Sequence, residues 1–150
     1  MVGPPAGRSQ GHTGEVTGEF TVPAGVDPDD VIERLRSAGA RFAFVFGSRS
    51  GAGGPSHPVS DESDLDVGAW WGHEPPDAWR VALPAAVDLV VLDRAPLFLA
   101  GRVAMWGVLL FEDDAAARVH WQADTRKRYL DEKPRWERAD ADFAAAVTGG

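Results

Sequence analysis

The chain has 150 residues, 15 Lys+Arg against 23 Asp+Glu for a net charge of −8, and no cysteine. That length holds one domain with a real core, and the missing cysteines exclude disulfide scaffolds, zinc–thiolate sites and thiol nucleophiles. The acidic balance argues against a protein that coats nucleic acid, because phosphate neutralisation needs a basic surface; it is compatible with a carboxylate metal site or a basic partner.

Residues 1–14 are Gly, Pro, Ser and polar, cannot bury a face, and are read as a flexible N-terminal arm before a domain over 15–148. They lack the apolar core of a signal peptide. No apolar run reaches the roughly 20 residues of a membrane span, so the expected setting is the cytoplasm, with no membrane partner. Glu15 to Val22 alternates weakly and suggests an edge strand. Asp27 as N-cap, Pro28, Asp29 and Asp30 then open a helix with Val31, Ile32, Leu35 and Ala38 on one face, which Gly39 stops. Arg41 to Phe46 reads as a buried strand, and Gly47 to Ser63 as a loop. Asp64 to Trp71 is a second strand. A short helix is expected within Asp77 to Leu83, then a third strand over Val87 to Leu92. Pro96 to Trp106 is an apolar helix closed by Gly107, and Val108 to Phe111 a fourth strand. A long amphipathic helix runs from Asp113 to Glu132; Pro134 is expected to break it, leaving a last helix over Pro134 to Val147. No internal repeat is visible. The order implies an α/β or α+β domain with one sheet.

Three features coincide on this framework. One strand ends in Gly47-Ser48, the next begins Asp64-Leu65-Asp66, and a third carries Asp88 near its start. Residues two apart on a strand share a face, so Asp64 and Asp66 point together, and Asp88 joins them if its strand is adjacent. Convergent carboxylates suit hard cations such as Mg²⁺, and two such ions about 3.5–4 Å apart hold the attacking and leaving oxygens of a phosphoryl displacement. Backbone N–H groups after the first strand, with the Ser48 hydroxyl, can cradle phosphate. An isolated D-x-D is more often turn chemistry. Here Asp88 interrupts an apolar strand, where a lone carboxylate is costly, and the Gly-Ser is also in place. Other phosphate and metal motifs fail. No lysine precedes Lys127 for a Walker A loop, Ser56 stands where a dinucleotide fingerprint from Gly51 needs glycine, and an EF-hand from Glu62 meets Val67 and His73 at its key positions.

The strings FGSR (Phe46 to Arg49), SDLD (Ser63 to Asp66) and VDLVVLDRAP (Val87 to Pro96) resemble the minimal nucleotidyltransferase (MNT) domain of the DNA polymerase β-like nucleotidyltransferase superfamily. GVLLFEDD (Gly107 to Asp114) and YLDEKP (Tyr129 to Pro134) are similar to its C-terminal half, so the resemblance covers about residues 28–145. It implies a small mixed sheet with helices packed on one face. One departure is the spacer of fifteen residues, 49 to 63, longer than the family's usual one.

The resemblance further implies that Asp64 and Asp66 bind two Mg²⁺ ions. Asp88 would bind the catalytic ion and help activate the acceptor hydroxyl, while Gly47, Ser48 and Arg49 hold the triphosphate of ATP. Gly68, on the Asp66 face, is read as room for the nucleotide. Many MNT proteins resemble antitoxins paired with a HEPN-type toxin, whose tyrosine would accept AMP. A catalytically inactive antitoxin acting by contact and an aminoglycoside-type small-molecule nucleotidyltransferase are the alternatives. Nucleotide choice and self-association stay open.

The four histidines have no metal-ligand spacing, and His57 reads as a surface-loop residue near the phosphate loop. Trp70 and Trp71 project to opposite faces, so at most one is expected in the main core. Trp106, Trp121 and Trp136 are candidates for a partner surface, with core burial the simpler reading for Trp106.

Overall fold

In the first helix, α1 (Pro28–Ser37), the Asp27 side chain accepts a hydrogen bond from the Asp29 N–H at 3.0 Å. Asp29 and Asp30 lie in its first turn and Arg34 and Arg36 in its last, so the charges match the helix dipole at both ends. The computed structural model describes residues 20–47 and 64–148. After α1 come β1 (Phe42–Phe46), β2 (Leu65–Trp70), a single 3-10 turn (Ala78–Arg80) and β3 (Val87–Val91). A second 3-10 turn (Leu92–Arg94), α2 (Leu97–Trp106), β4 (Val108–Glu112) and α3 (Ala115–Thr148) complete the order.

The four strands form one mixed sheet in the order β3-β2-β1-β4. β1 runs antiparallel to β2 and β4, whereas β2 and β3 are parallel. Strand alternation divides the apolar residues between two cores. Ala43, Val45, Leu65, Val67 and Ala69 meet Val31, Ile32 and Leu35 of α1 on one face. Phe42, Phe44 and Leu109 meet Val103 of α2, with Ala117 and Trp121 of α3, on the other. The expected fold class holds, and the helices are shared between the two faces rather than gathered on one. A register shift between Ala43 and Phe44 in the β1–β4 pairing gives β4 one extra residue, and Leu110 and Phe111 both join the α1-side core.

α2 and α3 pack closely because Gly101 has no side chain. A Cβ there would lie inside the ring of buried Tyr129. The Ala104 carbonyl, in the last turn of α2, accepts from Gln122 Nε2 at 3.0 Å and Arg126 Nε at 2.7 Å. α3 thus supplies the hydrogen bonds that a helix end cannot make for itself.

Three local expectations change. Pro134 does not end α3, which is one helix of 34 residues with the proline inside it. Pro134 and Leu130 are exposed, so the carbonyl that loses its N–H partner faces water. Ion pairs such as Lys133–Glu137 at 2.7 Å also bridge the site. The helix expected within Asp77 to Leu83 is only the 3-10 turn, since Pro75, Pro76 and Pro84 flank it closely. Phe20 and Val22 pack on the α1-side core without forming a strand. Residues 15–19 of that expected strand, and the arm over 1–14, lie outside the described residues.

Candidate functional site

The site builds up at the sheet end where β1 stops and β2 and β3 begin. Phe46, the last residue of β1, pairs with Asp66 of β2, and Asp66 pairs in turn with Asp88 of the parallel β3. Direct register partners on parallel strands share a face, so both aspartates lie on the side that also carries Gly68 and Trp70. Asp64 stands one residue before β2. Asp66 is half-buried, while Asp64 and Asp88 are exposed.

Burial pushes the Asp66 carboxyl above its ordinary value, and the negative charges of Asp88 and Asp64 push it further the same way. The Asp66 carboxyl thus lies within reach of both neighbouring negative charges. Among the described residues, no group of three or more side chains is arranged to enclose a metal ion. The donor chemistry nonetheless fits a hard divalent cation. Asp66 is partly desolvated beside two like charges, and a cation of opposite charge relieves that repulsion.

Gly47 turns the chain directly beside Asp66. Its φ of +81° lies in the left-handed region, and a Cβ would collide with the Asp66 carboxylate. Both conformation and space thus require glycine, and the turn brings the start of the expected phosphate loop against the carboxylates. Ser48, Arg49 and His57 lie outside the described residues.

Gly68 has a different role from the one expected. Leu92 Cδ2 would stand 2.9 Å from a Cβ at this position, so the space over Gly68 is occupied by the leucine rather than open to a nucleotide. Sequence reasoning could not see this, because it depends on how the turn after β3 folds back over β2.

Two residues of the VDLVVLDRAP string have roles that the sequence reading passed over. The Asp93 carboxylate accepts from the N–H groups of Trp71 at 2.9 Å and Gly72 at 2.6 Å, closing the far end of β2. Arg94 donates to the Pro76 carbonyl at 2.8 Å and the Pro75 carbonyl at 2.7 Å, fixing the connection that leads to β3. Their signal was polar residues directly after an apolar strand. The tryptophans largely serve packing. Trp71 is buried and donates through Nε1 to the Ala38 carbonyl at 2.9 Å, and Trp70 stacks on Phe42 on the opposite face at 5.1 Å. Trp121 lies against Phe42 and Phe44, and Trp106 and Trp136 both contact Tyr129.

Solved structures match this arrangement of elements. A toxin–antitoxin structure with AMP-PNP aligns at a TM-score of 0.63 and 23% identity, over 80% of this chain and 100% of that one. The toxin–antitoxin MntA–HepT aligns at 0.60 and 21% identity, over 79% and 97%. The chain shares their fold. A third match is tri-AMPylated Shewanella oneidensis HEPN toxin in complex with MNT antitoxin, at 0.58 and 21% identity, over 79% and 96%. The fold expected from the MNT resemblance is therefore the fold observed. No family model and no curated protein matches the chain. No helix among the described residues is long and apolar enough to cross a membrane.

Proposed function

We propose that this chain is a nucleotidyltransferase antitoxin that transfers AMP from ATP to a hydroxyl of a HEPN-type toxin. The observation that carries this reading is the pairing of Asp66 with Asp88 at the sheet end where Gly47 turns the chain. Support comes from the matched structures, one holding AMP-PNP and one an AMPylated HEPN toxin with its MNT antitoxin.

In this reading Asp64, Asp66 and Asp88 hold Mg²⁺, which would neutralise charge on the phosphates and on the attacking oxygen. Gly47, Ser48 and Arg49 hold the triphosphate through backbone N–H groups, the hydroxyl and the guanidinium. Asp88, exposed on β3, would help activate the acceptor hydroxyl by taking its proton. The hydroxyl oxygen bonds to the α-phosphorus, the bond to the bridging oxygen breaks, and pyrophosphate leaves with that electron pair. The net charge of −8 suits a basic partner.

The test is incubation of the purified chain with Mg²⁺, α-labelled ATP and the HEPN-type partner. Label on the partner, lost in Asp64→Ala and Asp88→Ala, is the expected result. Neutralisation that persists in Asp64→Ala without any transfer of label overturns the enzymatic reading. It then favours neutralisation by contact alone.

A further inference from the structure

Two hollows of about 250 and 310 Å³ adjoin where the start of α2 meets the middle of α3, and Leu97 and Arg128 line both. The indoles of Trp70 and Trp121 wall the first, and Asp93 and Asp124 add their carboxylates to it. Trp136, Asp131 and Glu132 line the second. Among the described residues, Arg128 is thus the one basic group in a wall with four carboxylates. Its guanidinium lies 3.8 Å from Asp124, too far for a hydrogen bond. Lys127 and Arg135 meet Asp131 at 3.2 Å and Glu132 at 3.6 Å from outside the lining, and such exposed pairs hold weakly. Thr125 also lines the first hollow and is only 3% exposed. Trp121, four residues before it on α3, and Arg128, three after, line the same hollow, so the Thr125 side chain faces it. Among the described residues its hydroxyl has no hydrogen-bond partner. A buried hydroxyl left unpaired costs free energy, and one that faces a hollow marks a place for the polar group of a ligand.

A nucleotide is a poor occupant, because its phosphates would meet the four carboxylates. A guanidinium is a good one. Its plane stacks on indole, and its five N–H donors match the oxygens of Asp93, Asp124 and Thr125. Asp93 keeps lone pairs free beyond its two bonds to the Trp71 and Gly72 N–H groups. Arginine and tryptophan are also the residues that dominate the centres of protein interfaces, and a chain of net charge −8 attracts a basic surface. Resting on the partner in the reading above, we propose that the first hollow takes an arginine side chain of the HEPN-type protein, whose flanking basic residues lie along Asp131 and Glu132. Trp70 lies four residues after Asp66 on the same face of β2, about 13 Å along the strand. The groove is therefore an anchor apart from the site of transfer. It holds the partner without touching the reacting groups, so it serves neutralisation by contact as well as by modification.

The test reads the affinity of the whole chain for the HEPN-type partner by calorimetry, without Mg²⁺ or nucleotide. Thr125→Val removes the hydroxyl with little change of shape, and Asp124→Lys reverses an exposed charge of the wall. Each should weaken binding about tenfold, and Thr125→Ser should stay within about twofold of wild type. ATP binding to the free chain should be unchanged in all three. The unfolding midpoint of Thr125→Val should equal or exceed that of wild type, because a methyl replaces a buried hydroxyl that has no partner. Wild-type affinity in either Thr125→Val or Asp124→Lys overturns the arginine site. A lowered midpoint in Thr125→Val also overturns it, since the hydroxyl would then be bonded within the fold. Loss of ATP binding in place of partner binding makes the groove a nucleotide site and overturns it as well. None of these readouts depends on transfer. A chain that binds the partner through the groove and moves no label refutes the transferase reading alone, and a wild-type chain that does not bind the partner refutes the groove together with the choice of partner.

Discussion

Replacing Asp66 with asparagine should stabilise the metal-free protein. The physical reason is the pair of like charges, Asp88 and Asp64, that act on a half-buried carboxylate. Adjacent strands lie about 4.8 Å apart, so the facing carboxylates of Asp66 and Asp88 are separated by roughly 6 Å. With solvent on one side and an effective dielectric constant of about 40–80, the repulsion is about 1 kcal/mol. The sign follows from the titration. The folded protein holds the Asp66 proton more tightly than the unfolded chain, whose ordinary value is 3.8. Any stability from this group is thus fully present below that value and lost as pH rises through the raised folded value. At neutral pH the ionised side chain is a net cost, which Asp66→Asn removes. Thermal unfolding in EDTA at pH 7 should show the variant about 2–4 °C above wild type, and the gap should shrink as pH falls toward 3.8. Added Mg²⁺ should raise the wild-type midpoint more than that of the variant, because binding to the folded state adds RT ln(1 + [Mg]/Kd). A lower midpoint for Asp66→Asn in EDTA, or a gap that does not change with pH, would refute the mutual repulsion and with it the convergence of the three aspartates.

Other perturbations have equally definite outcomes. Gly47→Ala forces a side chain into left-handed backbone and against Asp66; it should cost about 1–2 kcal/mol in chemical denaturation and abolish transfer, the turn and the carboxylate being displaced together. Gly101→Ala drives a methyl into the Tyr129 ring, and overpacking of about 1–3 kcal/mol should lower the unfolding midpoint by several degrees. Asp93→Ala leaves the Trp71 and Gly72 N–H groups without their carboxylate, and a loss of about 2–3 kcal/mol in urea titration is expected.

Most of the secondary structure was readable because its determinants are local. Asp27 and Pro28 mark the start of α1, and the Phe-Val run of β1 and the Gly107 stop fall where the residues place them. The Pro134 helix shows the limit of that logic. A proline's cost depends on whether the carbonyl it orphans reaches water, and that is set by the exposed face of α3 rather than by its neighbours in the chain. The site divides in the same way. The D-x-D spacing alone places Asp64 and Asp66 near each other, and the apolar strand around Asp88 marks that residue as unusual.

Facing of Asp66 by Asp88 requires a parallel β2–β3 pairing in a register where residue 66 meets residue 88. A one-residue slip would have put Asp88 on the other face. That register and the leucine over Gly68 both come from segments far apart in sequence meeting across the sheet. Spacing and composition thus carry the identity of the chemical groups, since side-chain type and strand period are properties of short stretches of chain. Their mutual distances and their burial belong to long-range packing, because each depends on which strands pair and what covers them.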